Sequence, residues 1–228
     1  ESNGEFPKQQ TAEWCDERKD MLTATNISIV LECNPYKSKY ELMVEKINGI
    51  SNMTNEAMEW GNQFEPIASK FYEYYTKHKV YSLGLITHSK YKWLGASPDG
   101  IMKVGKLLEI KCPFTRSVKN VIPQCYWIQM QIQLEVCDMP SCDYLECEFY
   151  KYANKQEYDD DINVEPSYKG YIQNNDKPVY WKIVNIFLKT VIRDTEWFLA
   201  NVGRMEEFYD NMVYYKTMGL KRFKIDLK

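Results

Sequence analysis

Polar and apolar positions change their period several times along the chain, and each change marks an element. Residues 11–31, TAEWCDERKDMLTATNISIVL, predict a helix carrying Trp14 and Arg18, a break at Thr23–Thr25 and a second helix from near Asn26. Asn34-Pro35 marks a turn. From about Thr54 to Lys77 the residues Ala57, Trp60, Phe64, Ile67, Phe71 and Tyr75 recur every three or four positions, the spacing of an amphipathic helix. Pro66 lies inside it. A proline there removes a backbone donor and crowds the carbonyl four residues back, so a kink or a restart is expected just after Glu65.

Over residues 80–112, β-branched and aromatic residues are punctuated by Gly84, Gly95, Pro98, Gly100 and Gly105, which predicts three short strands with a hairpin turn at KVGK, 103–106. VIPQCYWIQMQIQLEV returns to helical spacing after Pro123, and DYLECEFYKY alternates like a strand. The order is helix, three strands, helix, strand. The acid-rich stretch 153–177, with Asp159-Asp160-Asp161, has no periodicity and reads as a surface loop without core. VYWKIVNIFLKTVI fits strand or helix, its β-branched residues favouring strand, and Asp194 caps a closing helix to about Lys216. No internal repeat breaks the chain. Its 228 residues are read as one α/β domain, with a core over 10–152 and a strand and helix over 178–228.

Composition narrows the function classes. Hydrophobic residues at 44% and charged residues at 27% describe an ordinary globular protein. No apolar run is long enough for a membrane span, and ESNGEFPKQQ at the start lacks a secretory apolar stretch, so an intracellular protein is expected. Seven cysteines, an odd number without a short framework, fit free thiols in a reducing compartment. A net charge of −3 excludes a protein that coats nucleic acid through bulk positive charge, so any DNA contact is local or metal-assisted.

The chemistry concentrates in GASPDGIMKVGKLLEIKCPF, residues 95–114. A turn at 103–105 brings Asp99 to within about one residue of the position opposite Glu109, so two carboxylates meet at one end of the hairpin. Glu109 and Lys111 share a strand face, while Ile110 points to the core. Two hard oxygen ligands beside an ammonium suit phosphodiester hydrolysis. Mg²⁺ or Mn²⁺ on the carboxylates leaves positions for a phosphate oxygen and a water, and Lys111 can orient or deprotonate that water. Glu65, in WGNQFEP, is a third carboxylate if its helix crosses the sheet. Singly, each piece is ordinary: SPDG is common turn chemistry, and exposed Glu–Lys pairs contribute little. Their order along the chain makes the combination specific.

EWGNQFE (59–65), GASPDG (95–100), LEIKCPF (108–114) and YWIQMQ (126–131) resemble, in this order and at fitting intervals, the lambda exonuclease or YqaJ viral-recombinase family, with a fainter echo in VIRD (191–194). The resemblance implies the αβββαβ core of PD-(D/E)xK, restriction-endonuclease-like nucleases. It also implies 5′-to-3′ digestion of double-stranded DNA that leaves 3′ overhangs for recombination or repair, a ring-shaped homotrimer, and a partner that anneals single strands. Carried over by position, Asp99, Glu109 and the backbone carbonyl of Ile110 hold the metal, Lys111 is the catalytic lysine, Glu65 completes the site and Gln129 positions the attacking water. Arg18, Thr25 and Ser97 then grip the 5′-phosphate, as suits a guanidinium and two hydroxyls. An acidic residue found upstream of the SPDG turn in some relatives is missing here, where His88 or Ser89 stands, and Thr25 replaces the usual serine.

Other readings of the same residues differ in class. One is a structure-specific endonuclease or RNA nuclease on the same core; another is an inactive module that binds DNA ends. Cys137, Cys142 and Cys147 invite an iron–sulfur site, but their spacing matches none of the common ligand runs, and Cys147 alternates with Leu145 and Phe149 as a core residue does. Tyr91 and Trp93 are the aromatic candidates for DNA contact. Lys90, Lys92, Lys103, Lys106 and Lys119 either make the hairpin locally basic or guard exposed strand edges.

Overall fold

The computed structural model describes residues 11–49, 55–173 and 177–226. The reading of residues 1–10 lies outside the described residues. The N-terminal region holds helix α1 (Ala12–Glu17), a single 3₁₀ turn (Arg18–Asp20), strand β1 (Leu22–Thr23) and helices α2 (Ala24–Val30) and α3 (Lys39–Asn48). The expected break at Thr23–Thr25 is thus a strand end passing straight into a helix. Thr23 caps α2 reciprocally with Asn26, the two side chains and backbones satisfying each other's first-turn groups.

Helix α4 (Glu56–Thr76) runs unbroken past Pro66, which corrects the expected restart. Pro66 is solvent-facing, so its missing N–H leaves no buried partner unsatisfied, and burial of Phe64, Ala68, Phe71 and Tyr72 against the sheet holds both halves in line. Tyr75, counted on the apolar stripe, is instead exposed. The stripe drifts around a straight helix of 3.6 residues per turn, and Tyr72 takes the inward position.

Strands β2 (Val80–Tyr81), β3 (Ile86–Thr87), β4 (Leu94–Ala96), β5 (Gly100–Met102) and β6 (Lys106–Lys111) follow, five where three were expected. Helix α5 (Gln124–Val136) and strand β7 (Ser141–Lys151) come next. The acid-rich stretch, expected to be a loop, contains helix α6 (Lys155–Asp160), a 3₁₀ turn at Pro166–Tyr168 and strand β8 (Lys169–Ile172), an edge strand paired with β9. Its aromatic residue Tyr168 packs on Phe71. The segment lacked a periodic signal because these pieces are short and mostly solvent-facing. Strand β9 (Val179–Ile192) resolves the ambiguous run in favour of strand, and helices α7 (Thr195–Met218) and α8 (Leu220–Asp226) close the chain, with Asp194 capping α7 as expected.

The main sheet has the order β2-β5-β6-β7-β9-β8, and β1-β4-β3 forms a second, small sheet. Only β6 and β7 pair in parallel within the main sheet, as their crossover through α5 requires. Leu108, Ile110, Leu145 and Cys147 point to the face covered by α4. Leu107, Cys142 and Tyr144 point to the face covered by Met130 and Leu134 of α5. Beyond α5, α2, α3 and α7 build a third cluster around Ile27, Leu42, Phe198 and Phe208. Glu109 and Lys111 therefore emerge between the sheet and α5, while Glu65 arrives from the helix on the opposite face. Among the described residues no helix is long and apolar enough to cross a membrane.

Candidate active site

The site begins with a turn. Gly105 takes a left-handed φ of 74° and donates to the Met102 carbonyl at 3.0 Å, closing the β5–β6 hairpin in the register Met102↔Lys106, Ile101↔Leu107, Gly100↔Leu108. One residue further, Asp99 stands opposite Glu109. The Ile110 N–H donates to Asp99 Oδ2 at 2.6 Å, which ties the SPDG turn to the centre of β6.

Glu109 is fully buried, and each of its oxygens is held. Gln129 Nε2 donates to Oε1 and Gln133 Nε2 donates to Oε2, both at 2.6 Å, and Lys111 pairs with Oε1. The two glutamines stand one helical turn apart on α5, so one face of the helix grips both carboxylate oxygens. Sequence reasoning missed Gln133, although its spacing of four from Gln129 was a readable signal. Gln131, between them, faces elsewhere: it donates to the Ile192 carbonyl and accepts from the Asp194 N–H.

Three carboxylates and one ammonium share this space. Burial pushes the Asp99 carboxyl well above its ordinary value, and Glu109 and Glu65 push the same way against Lys111 and the Ile110 N–H. Glu65 is raised by burial and by Glu109, with Lys111 opposing. Burial works against the Lys111 charge, but Glu109 and Asp99 outweigh it and the ammonium is held more firmly than usual. The unoffset negative charge is what a bound cation would neutralise. Among the described residues no three His, Cys, Asp or Glu side chains are grouped to hold a metal; the acidic oxygens that converge here are those of Asp99 and Glu109, with Glu65 close enough to act on Asp99 electrostatically. Two carboxylates with remaining positions open to water suit Mg²⁺.

A separate cavity of about 360 Å³ is lined by Trp14, Arg18, Thr23, Thr25, Asn26 and Lys46 among others. The Arg18 guanidinium stacks 3.7 Å over the Trp14 ring and donates to Thr23 Oγ1 at 3.3 Å, and the Thr23 and Thr25 hydroxyls are 3.0 Å apart. Trp14 Nε1 donates to Ser97 Oγ at 3.0 Å, so the third expected phosphate residue touches the cavity wall through the indole. β1 pairs in parallel with β4, Thr23 opposite Gly95, which sets the cavity next to the strand leading to Asp99. Burial pushes Arg18 down to about 10, slightly opposed by Cys15. Thr23 and Lys46 were not foreseen; Lys46 sits on an ordinary charged helix, and only the fold brings it here.

Several candidates have other work. His88 Nδ1 accepts from the Lys90 and Tyr91 N–H groups, both at 3.0 Å, and the ring stacks on Phe198. Tyr91 and Trp93 pack against Phe198 and Tyr209 of α7, so the aromatic candidates for DNA contact belong to the core boundary. Lys106 pairs with Asp143, which also accepts from Tyr72 and Thr190, so it adds no free charge to the hairpin. Cys142 and Cys147 are separately buried strand residues.

The YqaJ-like viral recombinase domain matches residues 13–140, which contain the centre and the cavity wall from Trp14 to Lys46. The chain belongs to this family. An uncharacterized protein of Acanthamoeba polyphaga mimivirus is 35% identical over 175 residues, 68% of this chain and 32% of that protein. A protein of African swine fever virus is 26% identical over 218 residues, 79% of this chain and 60% of its own length. The chain thus spans about a third and three fifths of these relatives. The YqaJ-like domain also shares its fold with an alkaline exonuclease from Laribacter hongkongensis, at a TM-score of 0.69 and 24% identity over 96% of this chain and 100% of the other. A phage-related exonuclease from Haemophilus somnus aligns at a TM-score of 0.53 and 14% identity, covering 87% and 94%. The mixed sheet flanked by helices is therefore the PD-(D/E)xK arrangement.

Proposed function

We propose that this YqaJ-like domain is a Mg²⁺- or Mn²⁺-dependent exonuclease that digests double-stranded DNA from 5′ ends and leaves 3′ overhangs. The observation that carries the reading is the joining of two unlike sites. A buried carboxylate–lysine centre is linked through Asp99, Ser97 and Trp14 to a cationic cavity lined by Arg18, Thr25 and Lys46, with room for a terminal phosphate. A cut next to a gripped 5′ end releases nucleoside monophosphates. A second structure of the Laribacter enzyme, 25% identical, contains dAMP, a molecule of that class.

Asp99, Glu109 and the Ile110 carbonyl would hold the cation, which when bound polarises the phosphate and lowers the pKa of a water. The protein's own groups do the rest. Gln129 and Gln133 keep the Glu109 carboxylate in one orientation. Lys111 supplies positive charge toward the phosphate and a donor to orient the incoming water, and the Gln129 amide oxygen can accept from that water. Arg18 and Thr25, with Ser97 at the edge, fix the terminal phosphate so that the first linkage lies at the centre. On this reading the family's trimer encloses the duplex, and an annealing protein receives the 3′ strand.

The test is digestion of linear duplex bearing 5′-phosphate or 5′-hydroxyl ends, with Mg²⁺ or with chelator. Mononucleotide release from phosphorylated ends, abolished by chelator, is expected. Cleavage of closed circles or of RNA at a comparable rate would sink the end-directed reading.

A further inference from the structure

Lys46 projects from the last turn of α3 into the wall of the cationic cavity. Its ammonium donates to the carbonyls of Arg18 at 2.9 Å and Met21 at 2.6 Å, so two of its three N–H groups clamp the peptide that carries Arg18. We infer that Lys46 is the specificity-determining second cation of this cavity: with Arg18 it makes the site select a terminal phosphate monoester of charge near −2 over an internal diester of charge −1. The inference rests on the end-directed reading above and adds to it a residue and a criterion of charge.

The argument is one of unmet charge. Arg18 and Lys46 are both half-buried on the wall of the same cavity. The nearby acids have other partners: Glu45, on the same wall, pairs with Lys37, and Asp20 pairs with Lys216 of α7. Burial, then Arg18, Lys216 and Lys37, push the Lys46 ammonium down to about 8, with Asp20 alone opposing. Two cations held against burial and mutual repulsion lack about two negative charges. A terminal phosphate carries nearly two above pH ~6, whereas each internal phosphate carries one. The arginine fork and the Thr25 hydroxyl supply direction, and the Lys46 ammonium, fixed by its two carbonyl partners, supplies charge at one point.

The experiment compares kcat/KM for 5′-phosphorylated and 5′-hydroxyl linear duplex in wild type, Lys46→Met and Lys46→Arg, at about pH 7.5 and about pH 9.5. Because the readout is a ratio, a general loss of folded protein cancels. Wild type should prefer phosphate at pH 7.5 and lose much of that preference at pH 9.5, as the free lysine deprotonates. Lys46→Met should lower the preference about tenfold at pH 7.5, about one lost charge-assisted bond, and Lys46→Arg should hold its preference at both pH values. A wild type without preference would overturn the end-directed reading itself. A wild type with preference that Lys46→Met retains in full would overturn only the role of Lys46. If Lys46→Met does not fold, a wild-type preference that stays constant to pH 9.5 overturns it instead.

Discussion

At the scale of single residues, the buried carboxylates trade stability for chemistry. Asp99 titrates well above an unfolded aspartate, so between the two pKa values the folded chain binds more protons than the unfolded one. Its contribution therefore becomes destabilising as pH rises through that window and stays so at neutral pH. Asp99→Asn should raise the metal-free melting temperature at pH 7.5 by a few degrees, on the order of 1 kcal/mol. The same change should lower cleavage by about 10³-fold or more. Calorimetry beside a nuclease assay checks both; a variant as active as wild type would remove Asp99 from the chemistry. The carboxylates and Lys111 were legible as residues because E-x-K on a strand and an aspartate in a turn have local signatures. Their convergence was not, because it depends on α4 and α5 covering the two faces of the sheet.

At the scale of elements, α5 shows how spacing becomes function. QMQIQ offers glutamines at 129, 131 and 133, and the helical period divides them: 129 and 133 face Glu109, whereas 131 stitches the helix to the end of β9. Gln133→Leu should raise the Mg²⁺ concentration for half-maximal activity by about 10–100-fold, since outer partners orient the ligand. Gln131→Leu should lower the melting temperature without moving that Mg²⁺ requirement. A Mg²⁺ titration of the two variants decides the point, and identical Mg²⁺ dependence would count against the proposed division. Pro66 teaches the converse lesson. Its local rule predicts a break, but the proline faces solvent while Phe64 and Ala68 anchor the helix on either side, and tertiary burial prevails.

For the whole molecule, charge is arranged rather than abundant. The chain is net acidic, yet Arg18 and Lys46 line one cavity and Lys111 stands among carboxylates. DNA affinity should accordingly fall only gently with salt, with a log–log slope no steeper than about −3, because few phosphates are neutralised. Fluorescence anisotropy on a short 5′-phosphorylated duplex in Ca²⁺, across a series of salt concentrations, measures that slope. A much steeper slope would show a broad basic track along the DNA and overturn the expectation. Lys106, tied to Asp143 across the sheet, illustrates why counting lysines along the sequence overstates the free positive charge.

The sequence by itself determined the order of the longer elements, the hairpin register that faces Asp99 with Glu109, and Asp99, Glu109 and Lys111 as candidates for the chemistry. These follow from periods of two and 3.6 and from turn residues, all of which act over short spans. Only the tertiary structure decided that 153–177 carries an edge strand, that α4 passes Pro66 intact, that Gln133 grips Glu109 and that Lys46 joins Arg18. Each depends on contacts between segments far apart in the chain, where burial and the satisfaction of buried charge outweigh local preference.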